Sequence, residues 1–166
     1  QGFIPWDDDI DLGMPREDYE FFLKIAPSAL SKTLKLINYK TDKDYHYYIT
    51  RIQDVETKVM ENRYESEGKY THVSIDIFPL DGYPDDRFHY FIHTNKIKLY
   101  RALSKISVID RLHDRDRGSF ENAIVSISKV LKLNKLLKTT TINNKLQNLI
   151  KQYDFETSSI VGNVLG

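Results

Sequence analysis

The sequence contains no cysteine, which removes disulfides, thiolate nucleophiles and cysteine-ligated zinc from its chemistry and fits a reducing compartment. It also lacks net charge, with 24 Lys and Arg against 24 Asp and Glu. Bulk electrostatics therefore names no partner, and nucleic acid is not expected. No apolar run approaches the ~20 residues that a membrane-spanning helix needs, and no basic segment followed by an apolar one opens the chain. A cytoplasmic protein is expected. What remains is ordinary for a globular domain: 166 residues, 40% hydrophobic and 29% charged, enough to bury a core.

Against that even background one stretch stands out. In "PWDDDIDLG", Asp7, Asp8, Asp9 and Asp11 crowd together, although like charges repel. Ile10, Leu12 and Met14 alternate with Asp9, Asp11 and Gly13, the period of a strand with one polar face. An extended backbone then puts Asp7, Asp9 and Asp11 on one face and Asp8 on the other. Three carboxylates on one face force a pKa upward unless a cation reverses the local field, and hard oxygen ligands suit Mg²⁺ or Mn²⁺. Asp76 in "SIDIF" lies on the polar face of a second strand, between Ile75 and Ile77, and offers a further carboxylate. A lone Asp-x-Asp is usually a solvated surface, but Trp6 and the flanking apolar residues argue against plain solvation. A calcium loop shares the spacing of Asp7, Asp9 and Asp11, yet Leu12 falls where its glycine belongs and Asp18 where its glutamate belongs.

The rest of the chain divides near Asp85 into residues 1–84, an α/β core, and residues 85–166, a helical region packed on it in one structural domain. Pro15 closes the first strand and opens a helix in which Glu17 and Asp18 meet the positive dipole end. Tyr19, Phe22, Leu23 and Ala26 form its apolar stripe, and Pro27 is expected to end it. Tyr45 to Gln53 and Lys58 to Met60 read as strands, and Val73 to Phe78 as the clearest strand, closed by Pro79 and Gly82. Apolar spacing at Phe88, Ile92, Leu99, Leu103 and Ile106 predicts a long helix from Asp85 to about Asp114. A second helix capped by Ser119 carries Ala123, Ile124, Ile127, Val130 and Leu131, and a third covers Thr139 to Tyr153.

The stretch "GFIPWDDDIDLGMPREDYEFF", followed later by "SIDIFPLDGYPDD", resembles the LicD family, which includes fukutin-related protein. The first motif matches from Gly2 to Tyr19 and the second from Ile75 to Gly82. The resemblance implies an α+β, nucleotidyltransferase-like fold, a small mixed sheet with flanking helices followed by a mostly helical second half. It also implies a metal-dependent phosphotransferase that moves a phospho-alcohol from a CDP-linked donor to a glycan hydroxyl. Phosphocholine is the first expectation, on teichoic acid, capsule or lipopolysaccharide; ribitol and glycerol phosphate are others. Asp9 and Asp11 match the family's metal pair, Asp7 the preceding acid, a ligand or the general base, and Asp76 the carboxylate of another strand. Family members carry a basic, glycine-containing segment before this Gly2 and a closing segment beyond Gly166, so a piece of a longer protein is expected.

Arg16, Arg51 and Lys58 are the candidates for the donor's phosphates. Arg51 is the strongest, with a cross-strand ion pair, for instance to Asp54 or Glu56, as its ordinary alternative. Asp81, before a glycine, reads as turn chemistry. His89 and His93, four apart, have no third ligand and read as structural. The lysines between Ser119 and Lys151 form a solvated face or a peripheral contact with an anionic membrane that carries a lipid-linked acceptor. Two other functions compete: transfer of the nucleotide itself, and a non-catalytic metal-binding or interaction module.

Overall fold

The computed structural model describes residues 10–42, 45, 47–60, 70–109, 126, 128 and 136–163. The fold is α+β. Two compact units divide at Asp81 and Gly82: residues 1–81 with 162–166, and residues 82–161.

In the first unit, β1 (Asp11–Pro15) runs straight into α1 (Arg16–Ala29), followed by β2 (Leu34–Ile37), β3 (Thr50–Asp54) and β4 (Ser74–Gly82). The strand order is β1-β4-β3-β2. β4 is parallel to β1 and antiparallel to β3, and β3 is antiparallel to β2. A parallel neighbour cannot be reached by a tight turn, so the chain leaves β1 through α1 and builds the β2–β3 hairpin before β4 returns alongside β1.

Pro15 is where strand becomes helix: its φ of −47° suits entry to a helix, and Glu17 and Asp18 follow in the first turn. Pro27 does not end α1, which continues to Ala29. Tyr19 and Ala26 are buried as the expected stripe requires. The Tyr19 hydroxyl lies 2.6 Å from the Thr50 hydroxyl of β3, and Thr50 stands opposite Ile77 of β4. That contact fixes the sheet face that α1 covers. Along β4 the residues facing α1 are Ile77, Pro79 and Asp81, all buried, while Phe78 and Leu80 between them are only half-buried.

Three expected boundaries move. Pro79 does not close β4, which runs on to Gly82; Pro79 sits opposite Met14, beyond the residues that pair with β3, where a missing N–H costs that ladder no bond. The strand expected from Tyr45 begins only at Thr50, and Lys58 to Met60 form no strand, only a bridge from Val59 to Thr71. β2 has no counterpart among the expected strands, because four residues beginning with exposed Leu34 and Lys35 carry little periodic signal.

Asp81, read as turn chemistry, is instead a buried strand residue. Its carboxylate takes both Nε (2.7 Å) and Nη2 of Arg16, and the Arg16 guanidinium lies over the Tyr19 ring, 5.3 Å from its centre. The geometry is bidentate, which is what lets two charges leave water.

The second unit pairs α2 (Arg87–Ser107) with α3 (Thr139–Ile150). Asp86 caps α2 by accepting from the backbone N–H of Phe88 (3.0 Å) and His89 (2.9 Å), and these bonds with His89 hold its carboxyl below the usual range. α2 ends at Ser107, short of Asp114, and residues 110–125, with the Ser119 cap and most of the expected second helix, lie outside the described residues. The core between the helices combines Ile97, Ile142, Leu146 and Ile150 with polar bonds from Ser104 to Asn143 (2.6 Å) and between Ser107 and Thr139 (2.9 Å). Gly82 donates its N–H to the Tyr153 carbonyl at 3.1 Å, and a Cβ there would collide with the Asp154 carbonyl and the Ser158 side chain.

Two losses of stability are expected in urea unfolding. Asp81→Asn strands Arg16 in the interior and should cost about 3–5 kcal/mol. Gly82→Ala should cost about 1–3 kcal/mol through the forced shift. A change below about 1 kcal/mol for Asp81→Asn would contradict a buried ion pair.

Candidate metal and phosphate site

The parallel register sets Asp11 directly beside Asp76. Neighbouring strands lie about 4.8 Å apart, and side chains at paired positions of a parallel ladder share a face. The antiparallel register sets Arg51 on the other side of Asp76. Asp11, Asp76 and Arg51 therefore cross the sheet in one row, on the face away from α1. The strand is anchored there by the Asp76 N–H, which donates to the Ile10 carbonyl at 3.0 Å.

Arg51 closes on Asp76 with two bonds, Nε to Oδ1 at 2.5 Å and Nη2 to Oδ2 at 2.8 Å. These bonds raise the Arg51 pKa further above its ordinary value, against the opposing effect of burial. The expected cross-strand ion pair is thus present, with Asp76 as its partner. A carboxylate has about four acceptor positions, so two remain on Asp76 after Arg51 is satisfied.

Tyr45 adds a feature that the sequence did not reveal. Its hydroxyl is buried and has no hydrogen-bond partner among the described residues, and its ring packs edge-on to Tyr47 at 5.4 Å. Burial pushes the phenol well above its ordinary pKa, the Arg51 charge opposes that rise and Asp76 adds to it. A neutral phenol beside an ion pair is a donor awaiting an acceptor. In "YHYYITRIQ" one tyrosine among three could not be told from the others.

The remaining candidates are dispersed. Asp7 and Asp9 lie outside the described residues. Arg16, expected beside the donor's phosphates, faces the other way, its guanidinium bound to Asp81 under α1. Lys58 is exposed beyond the end of β3, and no described ion pair links it to Asp11 or Asp76. His72 turns its Nδ1 to the Thr57 carbonyl at 2.6 Å. His89 and His93 part ways: the first meets Asp86 at 2.8 Å, and the second is buried edge-on to Tyr153 at 4.9 Å.

Among the described residues no three His, Cys, Asp or Glu side chains gather in one place. Asp11 and Asp76 give two carboxylates side by side, an all-oxygen donor set of the kind that suits Mg²⁺ or Mn²⁺. The donor chemistry fits a hard divalent cation.

The family model described as "LicD/FKTN/FKRP, nucleotidyltransferase domain" matches residues 1–121. The chain is similar to the lipopolysaccharide cholinephosphotransferase LicD of Haemophilus influenzae, 32% identical over 90 residues, which make up 52% of this chain and 31% of that relative. The match thus spans about a third of the relative's length. No solved structure matches. No helix among the described residues is long and apolar enough to cross a membrane.

A double-mutant cycle over Arg51→Met and Asp76→Asn should give a coupling of about 1.5–3 kcal/mol in urea unfolding, the value of charge-assisted bonds in a partly buried pair. A coupling near zero would mean that the two side chains do not meet.

Proposed function

The chain belongs to the LicD/FKTN/FKRP family of nucleotidyltransferase domains, and from that membership we propose that it carries the acidic centre of a metal-dependent phosphotransferase. The reaction moves a phospho-alcohol, phosphocholine before ribitol or glycerol phosphate, from a CDP-linked donor to a hydroxyl of a cell-surface glycan. The observation that carries the reading is the pairing of Asp11 with Asp76 on adjacent strands.

Asp9, Asp11 and Asp76 would hold Mg²⁺ or Mn²⁺. Bound there, the cation supplies positive charge to the donor's pyrophosphate and to the departing CMP. Arg51 holds the Asp76 carboxylate in one orientation, so the ligand does not have to be ordered when the donor arrives. The glycan hydroxyl attacks the phosphorus distal to the nucleoside, and a new P–O bond forms as the P–O bond to CMP breaks. CMP leaves with the electron pair. The hydroxyl proton passes to Asp7 or to water, Asp7 being otherwise a further ligand. The family's description as a nucleotidyltransferase domain favours a second reading, attack at the phosphorus next to the nucleoside with transfer of the nucleotide itself.

Incubation of the intact protein with CDP-choline, CDP-ribitol and CDP-glycerol, with a glycan acceptor and with or without Mg²⁺, should release CMP in a metal-dependent way that phosphorus NMR can follow. Nucleotide found on the acceptor would favour the second reading, and no turnover with any donor would leave a binding module. Titration with Mn²⁺ followed by electron paramagnetic resonance tests the site apart from turnover. Asp11→Asn and Asp76→Asn should each weaken Mn²⁺ binding about tenfold or more, and unchanged binding would remove both residues from the site.

A further inference from the structure

The sequence pattern marked Phe88 and Leu99 for the core of the second unit, and the structure places them in solvent. Phe88 is 66% exposed, Phe91 65% and Leu99 57%, whereas the side of α2 that packs carries Ile97 with the polar residues His93, Ser104 and Ser107. At about 100° per residue, Phe88, Phe91 and Leu99 share the side opposite Ile97. At Phe88, Phe91 and Leu99 the helix is apolar outward, Ile92, Leu103 and Ile106 beside them are half-buried, and three of its four buried residues are polar; a surface helix that serves only its own core buries its apolar side. Ile160 and Val161, 49% and 44% exposed, extend the apolar surface of this unit.

The charge on α2 has one sign. Its 21 residues contain Arg87, Lys96, Lys98, Arg101 and Lys105 and no acid, in a chain whose net charge is zero. By the same helical spacing Arg87, Lys98 and Lys105 line one flank of the apolar stripe and Lys96 the other. Between Asp85, Arg87, Tyr90, Phe91, Lys98 and Ile160 runs an open groove of about 550 Å³.

We propose that α2 is a membrane-docking helix that lies flat on an anionic lipid surface, with Phe88, Phe91 and Leu99 in the acyl boundary and Arg87, Lys96 and Lys98 against the headgroup phosphates. Exposed aromatic side chains flanked by cations match both layers of such an interface. A second copy of the chain is a poorer occupant, because a two-fold contact would bring the same cations face to face. The proposal does not rest on the lysines between Ser119 and Lys151, and it does not depend on the activity proposed above.

The test is flotation of the full chain with vesicles of equal parts phosphatidylglycerol and phosphatidylcholine, and with vesicles of phosphatidylcholine alone. Binding is expected to the anionic vesicles, to fall with rising salt, and to drop about tenfold or more in Phe88→Ser/Phe91→Ser. Arg87→Glu/Lys98→Glu should weaken it about tenfold and flatten its salt dependence. All four positions are exposed, so the thermal midpoint should not move, and equal midpoints separate lost docking from lost folding. The proposal is overturned if the wild-type chain stays off anionic vesicles or if the serine variant floats as well as wild type. A dimer that the serine variant splits, seen by sedimentation equilibrium, would overturn it in favour of a second copy.

Discussion

The parallel pairing of β1 with β4 is the constraint on which the site depends. A strand carrying Asp11 and a strand carrying Asp76, each with alternating faces, can be paired in many registers. Only one places the two carboxylates side by side, and a slip of one residue would turn one of them to the α1 face. The register is held from that face. Tyr19 against Thr50, Ile77 in the core and Arg16 on Asp81 fix which residues of β3 and β4 look toward α1, and the opposite parity then presents Asp76 and Arg51. The arrangement of charge on one side of the sheet follows from packing on the other.

The two arginine–aspartate pairs of the first unit show how burial separates structure from chemistry. Asp81 is 1% exposed and lies beneath a helix; its remaining acceptor capacity has no route to a ligand. Asp76 makes the same bidentate contact, but its side chain keeps 17% exposure and Asp11 beside it is open to solvent. One pair closes a core. The other orients a carboxylate that still has lone pairs to give.

Much of this was legible in the residues. Alternation marked β1 from Asp11 on and the faces of β4, although Ile10 and Leu12 on the apolar side are exposed; Pro15 with Glu17 and Asp18 marked the start of α1, and the acidic motif pointed to the family that residues 1–121 match. Other features were not legible because they arise between strands. Nothing local to Arg51 says that Asp76, rather than Asp54 or Glu56, will face it; that depends on the register. Asp81 was missed for a simpler reason. It has the same parity as Ile75 and Ile77, and a β4 that continues through Pro79 places it on the buried face, but Asp-Gly is so common a turn that the local sequence points to an earlier end.

In the second half the expected long helix is present as α2, and what its period leaves open is the side that it buries. Apolar residues at Phe88, Leu99, Leu103 and Ile106 satisfy a helical period, and period alone cannot say which of two stripes a helix buries. In α2 the buried stripe is polar enough to be overlooked, since Ser104 and Ser107 enter the interior only because Asn143 and Thr139 of α3 satisfy them. A core that accepts such pairs leaves Phe88, Phe91 and Leu99 outside it, while Leu103 and Ile106 stay half-buried. Two exposed phenylalanines on an acid-free helix then carry a solvation cost that folding does not require, and the proposed docking on an anionic lipid surface would relieve it.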